Sequence, residues 1–215
     1  MRLLAVFQGR YGHTRTSREG FIVDGAGEYL PWLTYPAIDF LRGLDYSGRR
    51  VLEFGAGSST LFWAARASEV HSVELDARWL ERLRPHAPAN VRLHHEPDPA
   101  RYAECVAPQL GRFDLIVIDG AERARCAAAA LRRLAPGGAV VLDNADWYPG
   151  VADRLAGAGL IEMRFCGFSP LNAFTSTTSI FVSREFSFAL SPAARRPPPG
   201  ANVLPAVPPD DAPRP

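Results

Sequence analysis

The 215-residue chain contains no lysine; all 24 of its basic residues are arginine. That excludes a lysine general base or Schiff-base former. Cysteine is scarce. Cys105, Cys126 and Cys166 are odd in number, widely spaced and without metal-ligand spacing. Neither a disulfide framework nor a zinc site is expected, and reduced thiols in a cytoplasm are. No apolar run approaches a membrane span. Met1 to Phe7 is too short for a secretory h-region with a cleavage site. Charge of one sign is lacking too: the net charge of +1 gives no reason to propose nucleic acid or an acidic membrane as partner. With 47% hydrophobic and 22% charged residues, the expectation is one soluble globular domain with ample core.

What is present centres on Val51-Leu52-Glu53-Phe54-Gly55-Ala56-Gly57-Ser58-Ser59-Thr60. Four residues read as a buried parallel strand that runs into a turn with two glycines. Gly55 and Gly57 are expected to take backbone angles closed to other residues and to let a ligand approach the main chain. The N–H groups of the following helix start, from Ser58 and Ser59, would face that ligand. A dinucleotide-binding turn asks for a third glycine where Thr60 stands. Glu53 is awkward beside a pyrophosphate and suits a ligand with an ammonium group. S-adenosylmethionine (SAM) has such a group, a sulfonium, a ribose and no phosphate. The pattern E-x-G-x-G-S resembles motif I of the class I SAM-dependent methyltransferases.

Along the chain, residues 1–28 form a basic, glycine-containing segment with Arg10, His13, Arg15 and Arg18, read as an N-terminal arm or flap. An aromatic, proline-punctuated stretch from Tyr29 leads to a helix from Pro36 to about Leu44. Strands alternating with helices then predict a parallel α/β sheet. Strands are expected at Val51–Phe54, Val70–Glu74, Val91–His95, Asp114–Ile118, Ala139–Leu142, Leu160–Phe165 and Thr177–Ser183. Helices are expected at Ser58–Arg66, Ala77–Arg84 (opened by Asp76), Ala100–Gln109, Glu122–Leu134 and Gly150–Ala156. Pro136-Gly137-Gly138 reads as a turn and Cys166–Ser176 as a long loop. The fold class is α/β, a seven-stranded mostly parallel Rossmann-like sheet with helices on both faces and an antiparallel last strand. The folded domain spans residues 29–188. Residues 189–215 are expected to be a disordered tail, since Ser191 to Pro215 holds nine prolines in twenty-five residues.

Ligands of open parallel sheets lie outside the carboxyl ends of the strands. Strand one supplies Glu53, Gly55 and Gly57. Strand two ends in Glu74, near the spacing at which an acid accepts hydrogen bonds from ribose hydroxyls. His95, Glu96 and Asp98, after strand three, are candidates to border an adenine. Strand four ends in Asp119 and strand five in Asp143-Asn144. In a 3-2-1-4-5 order these ends are neighbours beside the cofactor turn. Their three oxygen side chains suit Mg²⁺ or Ca²⁺, which would lower the pKa of a bound hydroxyl. On the alternative reading Asp119 handles substrate or the sulfonium region, while Asp143 and Asn144 cap the next element. The D…D-N set resembles the metal site of catechol-type O-methyltransferases, but their lysine three residues after the first acid is Glu122 here, followed by Arg123.

The resemblance extends over further blocks. Pro31–Pro36, Val51–Trp63, Ser72-Val73-Glu74, Val117–Gly120 with Arg123 and Cys126, Leu142–Tyr148, Gly167–Pro170 and Thr177–Ser179 are together similar to a bacterial family of class I SAM-dependent methyltransferases. It covers roughly Tyr29 to Phe188. It implies SAM as methyl donor and a direct transfer for which the protein aligns donor and acceptor and deprotonates the acceptor. Trp32, Tyr35, Trp147, Tyr148 and Phe168 are candidates to wall an acceptor pocket, although for each one taken singly ordinary core packing is the favoured reading.

The reading is methyl transfer to a small-molecule or glycan-type acceptor at oxygen. Glu53, Gly55, Gly57, Ser58, Ser59, Glu74 and Asp119 are assigned to the cofactor. Asp119, Asp143 and Asn144 are assigned to chemistry or metal, and His13 serves as a base if the arm folds over the site. The alternatives are an aminopropyl transferase of spermidine-synthase type and a non-catalytic binding protein on the same fold.

Overall fold

The computed structural model describes residues 2–195. The chain opens with two short helices, α1 (Arg2–Ala5) and α2 (His13–Glu19), joined by a π-helical turn, Val6–Arg10. Helix α3 (Tyr35–Arg42) follows and starts on Pro36 as expected. The sheet then alternates with helices: β1 (Arg50–Phe54), α4 (Ser58–Ala64), β2 (Glu69–Glu74), α5 (Ala77–Leu83) and β3 (Val91–His95). Next come α6 (Pro99–Tyr102), β4 (Phe113–Ile118), α7 (Arg123–Arg133), β5 (Leu134–Leu142) and α8 (Pro149–Gly157). The hairpin β6 (Ile161–Phe168) and β7 (Thr175–Val182) closes the sheet.

The strand order is β3-β2-β1-β4-β5-β7-β6. Pairs from β3 to β5 are parallel, and β7 runs antiparallel to both β5 and β6. This is the expected seven-stranded α/β sheet. Its apolar strands are buried on both faces because successive side chains point to opposite sides. Val51, Leu115, Val141 and Ile180 enter the core beneath α3 and α4. Their neighbours Leu52, Ile116, Val140 and Phe181 enter the core beneath α7 and α8. Helix α7 lies close to the sheet because its buried face is Cys126, Ala127, Ala129 and Ala130.

Three local expectations are corrected. The helix expected at Ala100–Gln109 ends at Tyr102. Ala107 precedes Pro108, which disfavours helical geometry, and it is extended at φ −54°, ψ 136°. Pro136-Gly137-Gly138 lies inside β5 as a bulge, where the pairing to β4 shifts register between Phe113 and Leu115. A Cβ on Gly138 would meet Asp114 O at 2.6 Å, so only glycine passes there. The loop expected from Cys166 to Ser176 is shorter. Cys166 pairs with Thr177 and Phe168 with Thr175, leaving residues 169–174 to connect the strands.

Of the tail, residues 196–215 lie outside the described residues. The segment before them runs along the end of α3. Asp45 N donates to Ala189 O, Ser191 N donates to Gly43 O, and Leu44 bridges Leu190. Among the described residues, no helix is long and apolar enough to cross a membrane.

Candidate active site

The parallel ladder continues past the strands and lines up their carboxyl ends. Gly55 N donates to Val73 O, Asp119 N to Phe54 O, and Asp143 N to Ile118 O. Gly55, Glu74, Asp119 and Asp143 therefore share one edge. A cavity of about 650 Å³ opens above it.

The turn after β1 has two unlike glycines. Gly55 sits at φ +103°, and a Cβ there would meet Gly120 N at 2.7 Å. It needs glycine both for its angles and for the close pass of the β4 end. Gly57, at φ 178°, is extended and open to any residue, which corrects the expectation that both glycines adopt special angles. A Cβ on Gly57 would meet Trp79 Nε1 at 3.5 Å, an ordinary contact.

Glu53 is fully buried and does not line the cavity. Its Oε2 accepts from Thr60 Oγ1 at 2.5 Å and from Ser72 Oγ at 2.6 Å. Burial pushes its carboxyl up to about 7, partly offset by hydroxyl donors that include Ser59, Ser72 and Thr60. The sequence assigned this carboxylate to a ligand ammonium; its partners here are the hydroxyls that shape the turn.

Glu74 does line the cavity. Its Oε2 accepts from Ala56 N at 3.0 Å, and its Oε1 accepts from Leu75 N at 2.8 Å and Asp76 N at 3.0 Å. Three backbone donors orient the carboxylate beside the glycine turn. Ser58 and Ser59 line the cavity at the start of α4, and Ser58 Oγ accepts from Ile22 N at 2.8 Å. That bond ties the N-terminal segment to the turn.

Asp119 and Asp143 meet across the ends of β4 and β5. Burial, then the neighbouring Asp143, raise the Asp119 carboxyl well above the usual range, while Arg123 opposes this. Burial raises Asp143 to about 6, and its Oδ1 accepts from Thr178 Oγ1 at 2.6 Å. Asn144 takes the left-handed region at φ 49°, which Asn tolerates better than most residues.

Arg123 fills the space beneath. Its Nη2 donates to Asp119 Oδ1 at 3.2 Å, its Nε to Gly120 O at 3.1 Å, and its Nη1 to Asp143 O. The guanidinium lies over Tyr148 at 4.6 Å. This donor set does not fit the divalent ion expected at Asp119, Asp143 and Asn144, because a fixed cation already pairs with Asp119, the first of the three. Among the described residues no three His, Cys, Asp or Glu side chains converge as metal ligands.

The remaining walls come from segments whose role the sequence left open. Thr16, Ser17, Phe21 and Ile22 close one side. Trp79 from α5 lines the glycine turn, with its Nε1 donating to Ala56 O. Trp32 and Trp147 line the cavity, joined by Leu171, Asn172 and Phe174 from the β6–β7 loop. Leu171, at φ 66°, carries backbone strain at this wall. The tripeptide containing Trp79 and the loop residues carry no motif; only the α5 start at Asp76, which does cap the helix, hinted that this segment faces the site.

Other candidates lie elsewhere. Phe168 and His13 line a second cavity of about 510 Å³. Tyr35 is buried, and its hydroxyl meets His13 Nε2 at 2.5 Å. Burial lowers the His13 pKa. Tyr148 is committed to Arg123, and His95, Glu96 and Asp98 do not line the main cavity.

A family model described as a methyltransferase domain matches residues 52–145. Among solved structures, a proposed O-methyltransferase from Klebsiella pneumoniae is similar at 18% identity, covering 85% of this chain and 89% of that one, with a TM-score of 0.57. The O-methyltransferase TomG from Streptomyces achromogenes, involved in tomaymycin synthesis and solved with SAM, shares 18% identity over 85% of this chain and 89% of its own, with a TM-score of 0.55. Spermidine synthase from Thermotoga maritima shares 15% identity over 70% of this chain and 56% of its own, with a TM-score of 0.53. At these identities the structural likenesses show the fold alone. No match is found among curated protein sequences. Residues 52–145 thus match a methyltransferase domain, and the sheet around them has the fold of these solved methyltransferases.

Proposed function

We propose that the chain transfers a methyl group to a hydroxyl of an uncharged small-molecule or glycan-type acceptor, in the cavity above Gly55 and Glu74. The carrying observation is the charge of that cavity. Glu74, Asp119 and Asp143 line it, and among the described residues no arginine or histidine does. Arg123 pairs with Asp119, but among the same residues Glu74 and Asp143 face the cavity without a side-chain ion pair, which suits a cationic ligand with no phosphate, as SAM is, and repels a pyrophosphate such as that of NAD.

Glu74 would hold the ribose hydroxyls, its carboxylate aimed by three backbone N–H groups. Gly55, Gly57, Ser58 and Ser59 would receive the donor along the turn, with Asp119 facing the cationic end. Glu53 is a positioning residue that acts through Thr60. SAM supplies an electrophilic methyl group on a sulfonium. The chain's own work is to align the acceptor, exclude water and take up its proton. Asp143 is the proposed base: Thr178 Oγ1 donates to its Oδ1, the Asn144 backbone also stabilises the ionised form, and the side chain lines the cavity where an acceptor hydroxyl would lie. Asn144 and Asn172 offer amide groups to orient the acceptor, and Trp32, Trp147 and Phe174 wall it from solvent.

An aminopropyl transfer would need acids placed for a polyamine. Among the described residues no carboxylate lines the second cavity, where the far end of a long acceptor would extend. The test is calorimetry with S-adenosylhomocysteine (SAH), followed by incubation with labelled SAM and candidate alcohols. SAH binding with label transfer to an alcohol supports the reading; transfer to a polyamine from decarboxylated SAM instead overturns it.

A further inference from the structure

The second cavity lies under the N-terminal helices. Leu4, Phe7 and Phe168 give it a mainly apolar lining. Phe7 and Phe168 stand edge to face with ring centroids 5.8 Å apart. Among the described residues, no Asp, Glu or Arg lines it. Its titratable lining group, His13, is held by the Tyr35 hydroxyl, and Tyr35 in turn packs at a tilt against Tyr11, ring centroids 3.8 Å apart. Ser17 and Asn172 line both cavities, so the two adjoin along that pair.

We infer that this second cavity is the subsite for the body of an uncharged aromatic alcohol whose hydroxyl reaches the main cavity past Ser17 and Asn172. The inference rests on the methyl-transfer reading and narrows its acceptor. Three observations argue for this occupant. First, among the described residues a charged acceptor would meet no lining counter-ion here to offset the loss of its hydration. Second, two phenylalanine rings and a leucine offer a planar apolar body an edge and a face, while Gln8, Thr14, Ser17 and Asn172 are polar lining groups that can meet its hydroxyl. Third, the exposed large apolar side chains Trp32, Trp147, Leu171 and Phe174 continue the same apolar wall on the main cavity. Leu4 and Phe168 are 64% and 44% exposed, so an aromatic guest would cover apolar surface that the free protein leaves in water.

The test uses the full chain saturated with SAH, with naphthol as probe and saturation-transfer NMR as readout. Naphthol should bind without displacing SAH, and naphthyl phosphate and methyl glucoside should each bind at least about tenfold more weakly, a difference near 1.4 kcal/mol. Phe168→Ser and Leu4→Asp alter exposed side chains. Each should weaken naphthol about tenfold while SAH affinity stays within about twofold. Naphthol that competes with SAH, binds both variants as well as the parent, binds no better than the glucoside, or does not bind at all overturns the subsite. Retained SAH binding in those cases leaves the methyl-transfer reading standing, whereas absent SAH binding in the parent strikes that reading itself.

Discussion

The Thr60 hydroxyl donates to Glu53 Oε2 at 2.5 Å and accepts from Gly57 N at 3.0 Å. One side chain thus joins a fully buried carboxyl to the turn that carries the cavity floor. Thr60 stands where a dinucleotide-binding turn would have its third glycine, and this bridge is what the threonine contributes. Thr60→Val keeps the shape and removes both bonds. Unfolding in urea should show a loss of about 1–3 kcal/mol, the cost of leaving buried polar groups unpaired. A loss below the error of the measurement would show that the bridge does not hold the turn.

Glu53 makes a pH prediction. Burial raises its folded pKa from 4.5 to about 7, so between those values the folded state keeps a proton that the unfolded state releases. The unfolded state binds fewer protons there, and stability falls as pH rises. The contribution is fully present below pH 4.5 and gone above about 7, a change on the order of 3 kcal/mol. Denaturation across that window should show this fall in the parent relative to Glu53→Gln. Parallel curves for the two proteins would contradict it.

Gly55 and Gly57 should separate folding from binding. Gly55→Ala places a Cβ 2.7 Å from Gly120 N at φ +103° and should destabilise the fold by about 1–3 kcal/mol or more. Gly57→Ala meets nothing closer than 3.5 Å and should leave stability within about 1 kcal/mol. Its methyl would nonetheless stand where the donor meets the turn, so SAH affinity should fall at least tenfold, about 1.4 kcal/mol. Thermal melts and calorimetry on the two variants check both halves.

Asp143 should control the rate. As a base it must be ionised, so methyl transfer to naphthol should rise with pH through about 6 and then level off. Asp143→Asn should lower kcat by roughly 10²–10⁴ and flatten the profile. A variant that keeps both the rate and the profile would remove Asp143 from the chemistry.

Arg123 bears on metal. Since its guanidinium answers Asp119 at 3.2 Å, an excess of chelator should leave SAH affinity and transfer rate within about twofold, while Arg123→Ala should depress the rate. Loss of transfer on chelation, restored by Mg²⁺, would return the metal to Asp119, Asp143 and Asn144.

Much of the sheet was legible because strands buried on both faces write their apolar runs into the sequence, as Val51–Phe54 and Phe113–Ile118 do. Glu74 was legible through its distance from the glycine turn. The direction of a side chain was not. Glu53 and Glu74 both end strands, yet local hydroxyls capture the first while backbone N–H groups hold the second beside the cavity. The Arg123 contact to Asp119 and Asp143 O depends on how α7 leaves the end of β4, through Glu122 at φ 51°. Trp79, Ser17 and Asn172 reach the site from three separate segments without a motif, so only the folded chain assembles them.

The most direct measurement of the central claim is calorimetry with SAH on the parent and on Glu74→Ala, with NAD as control. Micromolar SAH binding, no NAD binding and a loss of at least tenfold in Glu74→Ala, about 1.4 kcal/mol, are the results expected of a phosphate-free, cationic donor held above Gly55. Binding of neither nucleotide by a folded parent, or SAH affinity unchanged in Glu74→Ala, would contradict it.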